Sequence, residues 1–574
     1  MSNVSLLAVA RGDSPADLLL RNGRVVNVFT GEVEDADVAL FRGRVAALGP
    51  GYEAREEMDL AGRYLLPGFI DAHVHVESSL ATPREFARAV VPHGTTTVVS
   101  DPHEIANVHG LDGIRFMLEA SEGLPLTVFV MASSCVPATH MGTAGAQLDA
   151  NALRVLLDHP RVLGLAEVMN FPGVIHGDPS VLEKLHAFRG TVLDGHAPGV
   201  LGSDLNAYAA AGPSSDHECT TPEEATEKLR RGLFLYLRQA TNAQNLRPLL
   251  PALTPENRRR VALCTDDRQP PDLLDEGGID AMVRILIQEG VPPVESIRLA
   301  TLNPAEHFGL NDRGAIGPGR RADLLVVEAL DELHVDEVFV GGAVVASGGK
   351  ALDWDLPHLP TPPPPSMQVD WTNVTLRVPG RPGRVRVIEA IPDQIVTGAR
   401  EIEPTLVNGD VQADPDRDLL KIAVFERHSG SGRIGLGLVT GVGLREGAIA
   451  GTVAHDHHNI VAIGVDDLSL LAAARAVAEM GGGLVVARSG EVQASLPLPV
   501  GGLMSLEPIE SIRDQLDQVV RSARDLGSPL HDPFMAMSFL ALEVIPSLKI
   551  TDMGLVDVDR FRPVSLWVEE GSGR

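Results

Sequence analysis

The chain has 574 residues, 44% hydrophobic and 22% charged, which is enough apolar material for two or three folded domains. Its formal net charge of −29 argues against a nucleic-acid partner, since phosphates need Lys and Arg opposite them. We expect a small neutral or cationic substrate. Three separated cysteines (Cys135, Cys219 and Cys264) without a C-x-x-C pattern argue against a disulfide framework or zinc knuckle. No stretch reaches the roughly 18 apolar residues of a membrane span, so we predict a cytoplasmic protein with no membrane partner.

Short strand-like runs separated by turn dipeptides such as Asn22–Gly23 fill residues 16–60. A similar pattern of apolar runs and glycine turns returns at residues 322–345. The simplest explanation is a small β-sandwich domain made from both flanks, residues 1–62 plus 316–355. Two unrelated β segments are the alternative.

Eight strand-like segments alternate with helical patterns over residues 63–315. This alternation over about 250 residues is typical of an α/β protein with a (β/α)8 TIM-like barrel. A doubly wound open sheet is the alternative, but no G-x-G-x-x-G pattern follows the first strand. The predicted strands are residues 69–73, 95–100, 127–132, 162–167, 191–196, 213–217, 233–237 and 261–265.

A proline-rich stretch at residues 356–366 predicts a stiff linker. Residues 367–574 then mix apolar runs of strand length with longer helical patterns, which predicts a separate α+β domain. Its predicted elements include strands at 375–378 and 422–425 and helices at 468–480 and 509–523.

Polar side chains follow most of the predicted barrel strands at their carboxyl ends, where barrel enzymes place their active sites. At one strand end, a solvated polar residue is an equally good interpretation. Five of the strands together supply four histidines and two carboxylates, which is enough to hold two divalent ions. The candidate metal ligands are His73, His75, Glu167, His196, His217 and Asp266.

The order of these ligands resembles the amidohydrolase superfamily, and shorter motifs resemble one member, the bacterial adenine deaminase family. In the barrel these motifs are 68–79 (GFIDAHVHVESS), 101–107 (DPHEIAN), 166–170 (AEVMN), 215–219 (SDHEC) and 265–268 (TDDR). Beyond the barrel, residues 447–459 (GAIAGTVAHDHHN), 481–483 and 496–502 (LPLPVGG) match the extra C-terminal region of that family. The resemblance covers nearly the whole chain.

The resemblance implies an adenine deaminase of purine salvage, in which a metal-bridging hydroxide attacks C6 and releases ammonia and hypoxanthine. One alternative is another amidohydrolase that acts on a cyclic amide or amidine, and a second is an inactive barrel used as a scaffold. A deaminase of the cytidine type is excluded, because its C-x-x-C zinc motif is missing here. We also expect a homodimer.

The family resemblance implies a binuclear centre of Mn²⁺ or Fe²⁺, with Zn²⁺ as a third option. One ion would be held by His73, His75, Glu167 and Asp266, and the other by Glu167, His196 and His217. Some relatives bridge their metals with a carbamylated lysine instead. Of the five lysines in this chain, the barrel contains Lys184 and Lys228, both in helix-like contexts. The bridge is therefore expected to be Glu167.

Asp266 stands where such barrels place the general base, and a second acid is needed to protonate ring N1. Glu77, Glu104 and Glu218 are open candidates for this acid. Further residues are expected to contact the purine or to orient the metal ligands. These are Asp101, His103 and Asn107 in the barrel. By its residues alone, the C-terminal stretch that contains His455, Asp456, His458 and Asn459 is a polar turn, and the family resemblance implies that it reaches the active site as a lid or purine contact. His457 replaces the serine usual in the family, so no role is assigned to it.

Overall fold

The computed structural model describes residues 3–364, 366–392 and 394–569. The remaining residues of the expected N-terminal, linker and C-terminal segments (1–2, 365, 393 and 570–574) lie outside the described residues. Within the described ranges, no helix combines the length and the apolar character needed to cross a bilayer.

Eight parallel strands lie in the middle of the described chain. The first and last residues of each strand differ from the predicted ones by at most two positions. Strands β1 to β5 form one sheet in the order β5-β4-β3-β2-β1, and β6 to β8 form a second in sequence order. The strands are β1 (Phe69–Val74), β2 (Thr95–Ser100), β3 (Thr127–Ala132), β4 (Val162–Val168), β5 (Val192–Gly195), β6 (Ser215–Asp216), β7 (Phe234–Arg238) and β8 (Val261–Cys264).

The two parallel sheets approach each other at both ends. A parallel bridge joins Val74 of β1 to Asp266, just beyond β8. On the other side, the backbone N–H of Ser214 donates to the carbonyl of Leu193 in β5 at 2.8 Å. All eight strands therefore present their carboxyl ends at one edge, where the polar residues follow.

Helices connect the strands, and several begin at side-chain caps. The Asp149 carboxylate accepts the N–H of Ala152, and the Thr221 hydroxyl accepts that of Glu224 at a helix that starts with Pro222. Such caps satisfy N–H groups that have no partner inside the helix. The α-helices between the flanking strands are Pro83–Val90, His103–His109, Leu111–Ala120, Ala150–Arg154, Phe171–His176, Pro179–Ala187, Gly202–Ala211, Pro222–Arg230, Leu246–Leu249, Pro270–Asp275, Ile279–Gln288, Pro293–Leu299 and Leu302–His307.

Strands from both flanks of the barrel segment form one mixed sheet. The flanks meet where Tyr64–Pro67 pairs antiparallel with Leu324–Val327. A short helix, Asn3–Ala10, precedes the sheet. Its other strands are Ala16–Asn27, Glu32–Phe41, Arg44–Leu48, Ala54–Asp59, Val335–Val340, Ala343–Ser347 and Lys350–Ala351.

The C-terminal region contains an eight-stranded sheet with the helices Asp467–Glu479, Ile509–Asp525 and Pro533–Phe539. The sheet strands are Val385–Ala390, Thr397–Ile402, Leu420–Phe425, Ile434–Thr440, Ala448–Gly451, Ile460–Gly464, Gly483–Arg488 and Glu491–Pro497. Smaller sheets comprise Thr405–Val407 with Asp410–Gln412, and Leu548–Thr551 with Gly554–Asp557 and Arg562–Val564.

Most of the elements predicted for the C-terminal region are confirmed, and one is wrong. Residues 422–425 lie within the strand Leu420–Phe425, and both predicted helices are present. Residues 375–378 form no strand. Among the described residues, the segment pairs with its neighbour only through an isolated bridge at Pro379, and the Leu376 carbonyl accepts the Lys421 ammonium at 2.9 Å.

Candidate active site

Two histidines from the end of β1 face each other across the carboxyl edge of the sheet. The Nε2 atoms of His73 and His75 lie 3.1 Å apart. Behind them, His73 Nδ1 lies 3.0 Å from an Asp194 carboxylate oxygen, and His75 Nδ1 lies 2.9 Å from the Asp101 carbonyl. Because each Nδ1 faces an acceptor, it carries the proton, and both Nε2 lone pairs point toward the shared space.

Glu167, from the end of β4, lies between two pairs of histidines. Its Oε1 atom is 3.2 Å from His75 Nε2 and 3.8 Å from His73 Nε2. Its Oε2 atom is 2.8 Å from His196 Nδ1 and 3.3 Å from His217 Nε2. Burial on its own raises the pKa of this carboxyl, but hydrogen bonds from the surrounding imidazoles lower it well below its ordinary value. Glu167 is thus a carboxylate with one oxygen for each histidine pair.

Asp266 closes the other side of the first histidine pair. Its backbone has a φ of 56°, and its N–H donates to the His73 carbonyl at 3.0 Å. Oδ1 lies 3.2 Å from His75 Nε2, and Oδ2 accepts from Arg238 at 3.0 Å. Burial raises the pKa of Asp266, but Arg238 and the histidines together lower it well below its ordinary value. The side chain is therefore a buried carboxylate that keeps its negative charge.

These side chains fit divalent metal ions. Without a cation, the two Nε2 lone pairs would repel each other and the adjacent carboxylate oxygens. His196 Nε2 and His217 Nδ1 are buried and have no hydrogen-bond partner. Two ligand groupings at this edge are His73 with His75 and Asp266, and His73 with Glu167 and His217. Imidazole nitrogen and carboxylate oxygen are suitable donors for Mn²⁺, Fe²⁺ or Zn²⁺.

The cavity beside these ligands has one polar wall and one apolar wall. Most of the apolar wall comes from distant parts of the chain, and in the C-terminal region it includes Ile395, Met535, Phe539 and Leu542. The Asn242 side chain also lines the cavity, and its Oδ1 is buried without a hydrogen-bond partner. The cavity therefore offers both apolar surface and an unpaired polar atom to a ligand.

The three glutamates predicted as acid candidates occupy different positions. Glu104 and Glu218 line the cavity, whereas Glu77 does not and accepts the N–H of Ile105 at 3.3 Å. Burial, with the nearby Glu104 charge, raises the pKa of Glu77 to about 7. Both guanidinium NH groups of Arg238 bind the Glu218 carboxylate, one of them at 2.9 Å.

The predicted purine contacts from the barrel divide into two groups. Asp101 and Asn107 do not line the cavity. Asp101 accepts the Ser133 hydroxyl at 2.7 Å and lies 3.0 Å from His103 Nδ1, while the Asn107 amide donates to the carbonyls of His103 and Cys135. Both therefore occupy orienting positions behind His103, which does reach the cavity.

The C-terminal histidines lie against the barrel site. His455 and Asp456 line the cavity, and His458 contacts Glu104 behind it. The Asn459 amide donates to the Thr143 carbonyl at 2.9 Å, which fixes the loop to the barrel. His457 Nδ1 faces away, 3.5 Å from the Glu543 carboxylate.

Several residues of the site were not found from the sequence. Asp194 and Arg238 lie in strands β5 and β7, and their position near the carboxyl ends of barrel strands was an available signal. For Asn242 and Phe539 the sequence offered no such signal, because they lie in a loop and in a remote helix.

Parallel strands with a buried cluster of histidines and carboxylates at their carboxyl edge define a metal-dependent hydrolase of the amidohydrolase class. The amidohydrolase family model matches residues 64–345, and the adenine deaminase C-terminal domain model matches residues 394–562. That family implies a divalent metal.

Curated relatives match along the whole chain. An adenine deaminase from Desulfatibacillum aliphaticivorans is 52% identical over 99% of this chain and 100% of its own. One from Cereibacter sphaeroides is 50% identical over 97% of this chain and 98% of its own. One from Dehalococcoides mccartyi is 47% identical, with the same coverage. The chain belongs to the adenine deaminase family, a family of hydrolytic enzymes.

Proposed function

We propose that this enzyme hydrolyses adenine to hypoxanthine and ammonia, as a step of purine salvage. The observation that carries the proposal is Glu167, whose two oxygens face separate histidine pairs beside a cavity with an apolar wall. The full-length similarity to proteins named adenine deaminase supports the choice of substrate.

We propose that the site holds two divalent ions, Mn²⁺ or Fe²⁺. His73, His75, Glu167 and Asp266 would hold one ion, and Glu167, His196 and His217 the other. When bound, divalent ions make a coordinated water acidic enough to serve as a nucleophile near neutral pH. Asp194 and the Asp101 carbonyl keep the first two imidazoles in the ligand tautomer.

Asp266 is the proposed general base. It accepts a proton from the attacking water and returns it to the amine that leaves C6. Arg238 holds its second oxygen, so the side chain is fixed beside the histidines. The same guanidinium orients Glu218, whose Oε1 lies 3.6 Å from both His196 Nδ1 and His217 Nε2.

Glu218 is the proposed carrier of the proton to ring N1: its carboxylate takes the second proton of the attacking water, the one left on the oxygen at C6, and passes it to N1. It lines the cavity at the edge of the ligand cluster, and Arg238 fixes its direction. Glu77 is separated from the cavity, and Glu104 is enclosed by His455 and His458. These two positions suit proton transfer to a purine less well than that of Glu218.

The purine is proposed to lie on the apolar wall of the cavity, with the Phe539 ring nearby. Aromatic rings stack on nucleobases with about 1–3 kcal/mol per base. Asn242 Oδ1, which lacks a partner, is suited to accept a hydrogen bond from a ring or exocyclic N–H.

We also propose that β1 to β8 close into a complete (β/α)8 barrel. The contacts at Val74 and at Ser214 support closure at the two places where the sheets are separate. The proposed domains are the flanking β unit (1–67 plus 316–355), the barrel (68–315), the linker (356–366) and the C-terminal domain (367–574). The boundary expected at residue 62 moves to 67, because Tyr64–Pro67 lies in the flanking sheet. The match of the C-terminal family model to residues 394–562 lies inside the last of these.

The experiment is to load the protein with Mn²⁺ and measure adenine, hypoxanthine and ammonia over time. We expect equal amounts of hypoxanthine and ammonia. Hydantoin and dihydrouracil serve as cyclic-amide controls. Turnover of either, with none of adenine, would instead support a cyclic-amide hydrolase.

A further inference from the structure

A second group of buried ligand-type side chains lies beside the catalytic cluster. We name it the distal cluster and define it as His103, Glu104, His455 and Asp456. Each residue is at most 3% exposed, and one ligand atom from each lies within 4.8 Å of the others. Two of the residues begin the helix after β2, and two come from a loop of the C-terminal region.

The polar atoms of the distal cluster lie close together, and several of them have no hydrogen-bond partner. His103 Nε2, His455 Nε2 and both carboxylate groups contain buried atoms with no hydrogen-bond partner. Yet His103 Nε2 is 3.3 Å from Glu104 and 3.5 Å from Asp456, and His455 Nδ1 is 2.7 Å from Glu104. One nitrogen or oxygen from each of the four residues thus lies within 4.8 Å of the others, a spacing that suits ligands of one metal ion.

The proton positions also favour a cation. His103 Nδ1 faces the Asp101 carboxylate, which is held in place by Ser133, so the lone pair of His103 Nε2 points into the distal cluster. The Ala454 N–H donates to His458 Nδ1, so His458 Nε2 carries its proton toward Glu104 and orients that carboxylate. Carboxylates in a buried space are stabilised by a nearby positive charge, which a bound cation or a protonated imidazole can supply.

We propose that the distal cluster binds a third divalent cation, separate from the catalytic pair. Two imidazoles and two carboxylates suit Mn²⁺, Fe²⁺ or Zn²⁺ better than Mg²⁺ or Ca²⁺, which prefer oxygen ligands alone. The ion links the barrel to the C-terminal region through side chains from both. The His455 ring is stacked on Phe539, with centroids 4.8 Å apart and planes 10° apart, so the third ion also positions the apolar wall of the cavity.

A competing assignment gives His103 to the catalytic pair, since its Nδ1 lies 3.3 Å from Glu167. In that case Asp456 and His455 would hold no ion, and the chain would bind two in total. Replacing Asp456 or His455 separates these assignments, because only the three-ion assignment predicts that the chain then loses an ion.

The test is a metal count by inductively coupled plasma mass spectrometry on protein loaded with Mn²⁺ and gel-filtered. Anomalous diffraction from crystals at the manganese edge locates each ion. We expect three Mn²⁺ per chain, one of them between His103 and Asp456. Asp456→Asn and His455→Gln should each retain two, with the distal peak lost. His457→Gln is the matched control, because this buried histidine of the same loop faces Glu543, and it should retain three.

Two Mn²⁺ per chain in the wild type, with no anomalous peak at the distal cluster, would overturn the proposal. Three ions retained by Asp456→Asn, with an unchanged distal peak, would do the same. If a variant does not fold, the wild-type anomalous map decides the question. An enzyme with two ions that deaminates adenine would refute the third site alone, whereas three ions without deamination would refute the proposed function alone.

Discussion

Replacing Glu167 by Gln removes the negative charge shared by both histidine pairs while it preserves the side-chain shape. The Oε2 position, 2.8 Å from His196 Nδ1 and 3.3 Å from His217 Nε2, would lose its charge, and so would Oε1 beside His75. Removing a residue that only orients a metal ligand typically lowers the metal affinity by about 10–100-fold. Removing the charge of a ligand shared by two ions should lower the metal affinity by more than about 100-fold, which corresponds to about 2.7 kcal/mol.

The measurement for Glu167→Gln is the metal content after dialysis, together with the initial rate of adenine deamination. We expect loss of the catalytic ions and a rate at least about 100-fold below wild type. Glu122→Gln is the control, since Glu122 is exposed in a turn, and it should match the wild type. A Glu167→Gln protein that keeps the full metal content would refute the assignment of Glu167 as the bridging ligand.

Three further changes test other parts of the site and the fold. Glu218→Gln should lower kcat by about 10²–10⁴-fold with the metal content unchanged, and a kcat near wild type would exclude Glu218 as the proton carrier. Arg238→Met leaves the carboxylates of Glu218 and Asp266 buried without their cation, so urea unfolding should show a loss of about 3–5 kcal/mol; an unchanged midpoint would contradict this. Burial lowers the pKa of His307 from 6.5 to about 4, so the unfolded state binds more protons between these values, and stability should fall as the pH drops from 6.5 to 4. His307→Phe should reduce that fall in thermal melts, and an identical pH profile would contradict the assignment.

The sequence was most informative where function depends on strand order. Parallel strands place their carboxyl ends at one edge, so His73, Glu167 and Asp266 could be grouped without knowledge of any distance. The structure adds that the two oxygens of Glu167 face different histidine pairs. The residues that orient the metal ligands were harder to predict from the sequence. The position of Asp101 behind His103, for example, depends on the direction of its side chain.

Contacts between remote segments limited the prediction from sequence. Phe539 reaches the cavity from the C-terminal region, and neither local spacing nor periodicity relates it to the barrel. The motif around His455 was noted as a family feature, but its closeness to Glu104 required the folded chain. The wrong strand at residues 375–378 has a similar origin, since Lys421 from a neighbouring strand binds a carbonyl of this segment.

Adenine deamination by the Mn²⁺-loaded enzyme tests the central claim most directly. Chromatography of the reaction mixture should show adenine replaced by an equal amount of hypoxanthine, with one ammonia released for each. Asp266→Asn, which lacks the proposed general base, should give almost none of either product. A fully metal-loaded wild-type protein that leaves adenine unchanged would contradict the proposed function.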